Sequence, residues 1–241
     1  MQGLRYAGPY FTEGSNTVTA ASPHPVGTRS ASKPAVRLAG LLYLVIILSG
    51  LSAEFVFRGP LLSSGDATTT IDAIAASMGM FRAGLVGDVV MLLADIALAL
   101  VFFALLSDRA PILALSAMVF RLMQATVIAA SLVLLAAVPG LVTKNQQDLV
   151  LAAVQAHAGG YDLGLILFGV NCFLMALIFL KVTALPRMIS IGIAAAGVVY
   201  ITGGLLRLTA PDWLVVFQPA YLICILAEVA LCLWLLITGR L

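Results

Sequence analysis

Residues 81–106 read FRAGLVGDVVMLLADIALALVFFALL, and this stretch decides the fold. At 1.5 Å per residue, an uninterrupted apolar helix of this length crosses the roughly 30 Å hydrocarbon core of a bilayer. Yet it carries Asp88 and Asp95, seven residues apart. Seven residues make nearly two helical turns, so the two carboxylates share one face about 10 Å apart in depth. An ionisable side chain near the bilayer centre costs roughly 2.5–3.5 kcal/mol on insertion scales. That face must therefore look into a bundle of other spans.

The other spans are in the sequence. Apolar runs at 36–57, 111–138, 161–182, 187–208 and 213–238 join 81–106 to make six. The chain of 241 residues is 62% hydrophobic and 10% charged, with a mean hydropathy of +1.10, far from soluble globular composition. The expected fold is an all-α integral membrane protein, a six-transmembrane helix bundle over 36–241. Residues 1–35, rich in Ser, Thr, Ala, Gly and Pro and without apolar periodicity, are expected to form a disordered cytoplasmic tail. No short apolar core follows a basic start, so the first span is read as an uncleaved anchor. Two amphipathic segments are expected outside the spans. One follows Asp66, a reasonable N-cap, with Ile71, Ile74, Ala75 and Met78 on one face; the other runs from Asn145 through His157 until Gly159-Gly160 interrupts or bends it.

Eight cations (Arg5, Arg29, Lys33, Arg37, Arg109, Lys181, Arg187 and Arg240) fall on one side of the six spans, and Arg58, Arg82, Lys144 and Arg207 on the other. By the positive-inside rule both termini face the cytoplasm, in a bacterial cytoplasmic (inner) membrane. A net charge of +2, dispersed along the chain, excludes a nucleic-acid partner, and leaves membrane lipids and a small lipophilic ligand as the expected contacts. Cys172, Cys224 and Cys232 lie in apolar runs at no metal-ligand spacing, and only His157 stands outside the tail, so no haem, metal or other cofactor is expected. Oligomeric state is left open.

The intramembrane polar residues sort by depth into two tiers. Near the outer face lie Glu54, Arg58, Arg82, Asp88, His157, Asp162, Arg207 and Gln218; nearer the middle lie Asp95, Arg121, Gln124, Asn171 and Glu228. Opposite charges can pair across spans: Arg121 with Asp95 or Glu228, and Arg58, Arg82 or Arg207 with Glu54, Asp88 or Asp162. The outer tier holds more donors and acceptors than register requires, which points to a ligand pocket there. Glu54, Asp88, His157 and Glu228 are the candidate catalytic groups, and Arg58, Arg82, Asp95, Arg121, Asn171 and Arg207 the candidate substrate-binding ones. A histidine titrates near neutrality when unperturbed, so His157 is expected to exchange protons with a carboxylate such as Glu54 or Asp88.

Several short pieces carry a resemblance. They are Ala53-Glu54-Phe55 with Arg58, Gly65-Asp66-Ala67, and Phe81-Arg82-x-Gly84 followed by Asp88 and Asp95. Phe120-Arg121, His157-x-x-Gly160-Tyr161-x-x-Gly164-Leu165, Phe168-Gly169-x-x-Cys172 and Leu185-Pro186-Arg187 complete the set. From about Leu38 to Pro211 the chain resembles the bacterial multipass membrane family catalogued as domain of unknown function 4386. That resemblance implies an all-helical inner-membrane protein and supplies no activity. The residues themselves favour a protein that binds or converts a small lipophilic molecule, isoprenoid- or quinone-like, by acid–base chemistry in a polar intramembrane pocket. The competing readings are a proton-coupled transporter with Asp95, Arg121 and Glu228 as relay, and a non-catalytic accessory subunit.

Overall fold

The computed structural model describes residues 32–62 and 67–241. They form seven helices and, among the described residues, no strand: α1 (Lys33–Leu62), α2 (Ala67–Ala76), α3 (Met78–Leu106), α4 (Pro111–Thr143), α5 (Gln147–Phe179), α6 (Arg187–Thr209) and α7 (Pro211–Thr238). All but α2 are long and apolar enough to cross a membrane. Most of the expected tail, and Gly65 and Asp66 with the proposed N-cap, lie outside the described residues. The end of the expected tail is helical: α1 begins at Lys33, with a proline in its first turn. A proline is well placed there because its missing N–H has no helical acceptor to serve.

The six spans pack in chain order into a closed ring. α1 contacts α3, α3 contacts α4, and so on through α5 and α6 to α7, which returns to α1. Each span thus has two flanks in contact, an inner face and an outer face. Leu48, Val86, Leu93, Leu100, Val133, Leu177, Val198 and Leu226 are exposed on the outside, where lipid takes the place of a core partner. Arg58, Asp88, Asp95, Arg121, Gln124, His157 and Asn171 are buried. The two ends of the ring differ. At one, the turn at Gly239 lies against Lys33 and Arg37, and the Arg109 guanidinium donates to the Leu241 carbonyl at 3.0 Å, so both ends of the helical domain meet there. At the other end α2 packs across α1, α3, α4 and α5 with Ile71 and Ile74 buried.

Close helix approach rests on glycine. A Cβ on Gly169 of α5 would sit 2.8 Å from the Gly197 carbonyl of α6, and a Cβ on Gly197 would sit 2.8 Å from that of Gly169. Small residues at such crossings bring backbones into contact, the main source of helix association where no hydrophobic effect operates. The same logic corrects the expected break at Gly159-Gly160. α5 runs without interruption from Gln147 through both glycines, and no separate surface segment precedes it. Gly160 is where α5 crosses α4, with space for a Cβ already taken by Ser131 at 2.5 Å. A backbone hydrogen bond broken in hydrocarbon has no water to replace it, which outweighs the weak helix propensity of glycine.

Two spans are irregular. Within α1, Ser52–Arg58 is a π-helical stretch, and the Gly59 N–H reaches the Glu54 carbonyl. Pro60 follows, and its ring would crowd the carbonyl four residues back in a regular helix; a wider turn relieves that clash. Within α7, Pro211–Trp213 and Gln218–Ala220 are 3-10 turns, each containing a proline. The regular part of α7 begins only at Tyr221.

Overpacking a tight crossing costs about 1–3 kcal/mol. Gly169→Val is expected to lower the thermal unfolding midpoint of the purified protein. Gly159→Ala, whose Cβ meets nothing within 4 Å, is expected to leave it unchanged or raise it. Equal loss in both would contradict the glycine-mediated crossing.

Candidate functional site

Arg121 of α4 reaches the middle of the ring. Its Nε and one terminal nitrogen both donate to Oδ1 of Asp95 on α3, at 2.8 and 2.5 Å. Its guanidinium carbon lies 5.5 Å from the ring centre of Tyr43 on α1 and 5.1 Å from that of Phe168 on α5. One cation therefore ties four spans together through an ion pair and two cation–π contacts. Asn171 is buried beside it, lining small voids with Arg121 and Met175. Because both donors converge on one oxygen, Asp95 Oδ2 is buried without a partner among the described residues, and so is Gln124 Oε1.

Nearer the α2 end, further charges pair. Arg58 donates to Asp88 on α3 and, at 3.1 Å, to Glu54 one turn earlier on its own helix. Arg207 of α6 pairs with Asp162 of α5. His157 is buried, with Nδ1 3.1 Å from the Ser131 hydroxyl and its ring 6.0 Å from that of Tyr161. The Ser131 hydroxyl also lies 2.8 Å from the Ile128 carbonyl, to which it can donate. Arg82 is exposed on the first turn of α3 and in no ion pair among the described residues; Gln218 is exposed in its 3-10 turn.

The large cavity lies between these groups. Its volume is about 280 Å³, at the lower end of the roughly 300–1,000 Å³ range of ligand pockets. α1 and α7 make its open side. At the termini end these two helices touch: a Cβ on Gly40 would meet Leu236 Cγ at 2.8 Å, and the Cys232 thiol lies 3.4 Å from the Gly40 carbonyl. Further along, Ile47, Leu51 and Phe55 of α1 and Tyr221, Ile225 and Val229 of α7 line the cavity. Glu54 and Phe55 at its rim are exposed, Phe55 by 66%. Asp95, Gln124 and Glu228, each under 10% exposed, form its deep end. Phe168, Tyr161 and Tyr200 line the side opposite the opening.

Glu228 completes the floor. Its Oε1 accepts from the Tyr200 hydroxyl at 2.5 Å, and it belongs to no ion pair among the described residues. Tyr200 is held in turn by edge contacts with Phe168 and Tyr221, at centroid distances of 5.2 and 6.1 Å. Of the residues singled out in the sequence, Glu54, Asp95, Gln124 and Glu228 meet in one cavity; Asp88, Arg58, Asp162 and Arg207 are engaged with one another outside its lining; His157 sits behind Tyr161. The cavity thus spans both tiers instead of occupying the outer one. In the sequence Phe168 stands out only within Phe168-Gly169-x-x-Cys172, and Tyr200 and Tyr43 are single aromatic residues in apolar runs. Among the described residues no group of three or more His, Cys, Asp and Glu is placed to hold a metal ion.

Neither the curated proteins nor the solved structures compared with the chain give a match. A family model does, over residues 38–239, which takes in all six spans almost completely. The chain is a multipass membrane protein that belongs to the family described as Domain of unknown function (DUF4386).

Proposed function

We propose that this protein takes a small lipophilic molecule from the membrane into the cavity between α1 and α7 and acts on it by acid–base chemistry. The observation that carries this reading is the cavity itself, which has an opening beside exposed apolar side chains, aromatic walls, and a buried carboxylate at its floor. The rim carries Leu51, Phe55 and Ile225 beside Glu54, on helices whose outer faces meet lipid. Both termini are read as cytoplasmic in a bacterial inner membrane, so the mouth opens within the outer half of the bilayer.

The floor suits proton transfer. Glu228 is hydrogen-bonded by Tyr200 and not neutralised by a paired cation, so its proton is available to, or acceptable from, a bound molecule. Asp95 is paired with Arg121 and orients the head of the ligand. Glu54 at the rim is the second acid–base group, steadied by Arg58. Asp88 and His157 act through Arg58 and Tyr161 as positioning residues.

Transport is the second reading, and one observation favours it. The two spans that border the mouth are the two irregular ones, with π-helical turns in α1 and 3-10 turns in α7. Irregular backbone beside a cavity is where transporter helices flex.

Two outcomes test the primary reading. Mass spectrometry of small molecules that co-purify in native lipid particles is expected to find a specific lipophilic compound with the wild type. Val229→Trp, which fills the cavity without touching a charge, is expected to lose it. The same compound at equal yield in both would place binding elsewhere. For the chemistry, Glu228→Gln is expected to abolish conversion of the retained compound, a loss of about 10²-fold or more for a general acid–base group. Asp88→Asn is expected to reduce folding yield instead, because it strands buried Arg58. A fully active Glu228→Gln protein would remove Glu228 from the mechanism.

A further inference from the structure

The hydrogen-bonding groups at the floor of the cavity lean toward acceptors. Gln124 Oε1 and Asp95 Oδ2 are buried there without a hydrogen-bond partner among the described residues. Glu228 adds a carboxylate with no paired cation among the described residues, and Glu54 adds another at the rim. Several donors nearby are already committed. Arg121 gives two N–H groups to Asp95, Arg58 is shared between Asp88 and Glu54, and the Tyr200 hydroxyl goes to Glu228. Buried acceptors left without donors are costly, and native proteins keep few of them.

The charge inventory leans the same way. Asp95 is balanced by Arg121, which leaves Glu228 as excess negative charge at the buried floor. Phe168, Tyr161, Tyr200 and Tyr221 line the same cavity, and aromatic faces attract a desolvated cation. Excess carboxylate, unfilled acceptors and aromatic walls together describe a receptor for an organic cation carrying N–H groups.

Resting on the functional reading above, we propose that the ligand is a lipophilic amine, bound as its ammonium, with its head between Glu228, Asp95 and Gln124 and its apolar tail along Ile47, Leu51 and Ile225. The ammonium supplies a donor and a positive charge to Glu228, and a small side-chain shift brings the buried Gln124 and Asp95 oxygens within its reach. An anionic or purely accepting head, such as a fatty acid carboxylate, would meet only like charge and lone pairs.

The test uses the full chain in phosphatidylcholine nanodiscs, with empty nanodiscs to subtract partitioning into lipid. Saturable binding is measured for four radiolabelled probes sharing one tail: decylamine, decyltrimethylammonium, decanol and decanoate. Decylamine is expected to bind most tightly and decyltrimethylammonium next, decanol at least tenfold more weakly than decylamine, and decanoate not at all. Glu228→Gln, which keeps an acceptor for Tyr200, is expected to weaken both cations about tenfold or more and leave decanol unchanged. Decanol binding then certifies that the variant is folded. Gln124→Leu is expected to weaken decylamine but not decyltrimethylammonium, which has no N–H to donate. Decanol binding as tightly as decylamine, or cation binding indifferent to Glu228→Gln, overturns the amine assignment. If decanol binding is then still lost in Val229→Trp, the lipophilic cavity stands and only the head-group class falls. No saturable binding of any of the four probes overturns both.

Discussion

A single buried guanidinium is the constraint on which the rest of this fold depends. Arg121 carries its charge to the centre of a ring of hydrophobic helices, where an isolated cation is untenable. It is tolerated because Asp95 of α3 takes its charge and Tyr43 of α1 and Phe168 of α5 present their ring faces to it. Those partners fix the rotation of four spans about their own axes. Once α3 is rotated to aim Asp95 inward, Asp88, two turns away, is aimed inward as well, and Arg58 follows. A buried pair of this kind adds little net stability over well-packed apolar side chains, but removing one member strands the other, so it specifies arrangement more than it adds energy.

The way Arg121 binds Asp95 also shapes the cavity. Donating twice to one oxygen leaves the other oxygen of the carboxylate without a partner among the described residues, in a residue that also lines the cavity with Gln124 and Glu228. Structural pair and candidate site therefore share one carboxylate. This explains why the sequence, read by depth alone, divides polar residues into a structural and a functional tier while the folded chain divides them by side.

Much of the architecture is legible in the amino-acid pattern, for a physical reason. Hydrocarbon demands long apolar helices and punishes charge, so six runs and their inward charges stand out without any knowledge of packing. Pairings between charges at similar depth follow too, as with Arg121 and Asp95. What stays hidden depends on contacts between distant segments. Gly159-Gly160 looks like a helix break because glycine breaks helices in water; here Gly160 admits α4, and the bilayer keeps the helix intact. The π-helical turns of α1 have only Gly59-Pro60 as a trace, and the cavity lies beside two such irregular helices, which touch at Gly40 and Cys232. The role of Tyr200 depends on its reach to Glu228 on another span, which no local pattern encodes.

Closure of the ring through α1 and α7 has a consequence for how the protein is made. Asp95 and Arg121 sit on consecutive spans, α3 and α4, and can meet as soon as both have left the ribosome and entered the bilayer. Tyr43 is already present and Phe168 arrives with α5, so the central cation is enclosed before synthesis ends. Glu228 arrives only with α7, and with it one whole wall of the cavity. The central ion pair can therefore form first, and the unpaired carboxylate joins a bundle already able to hold it.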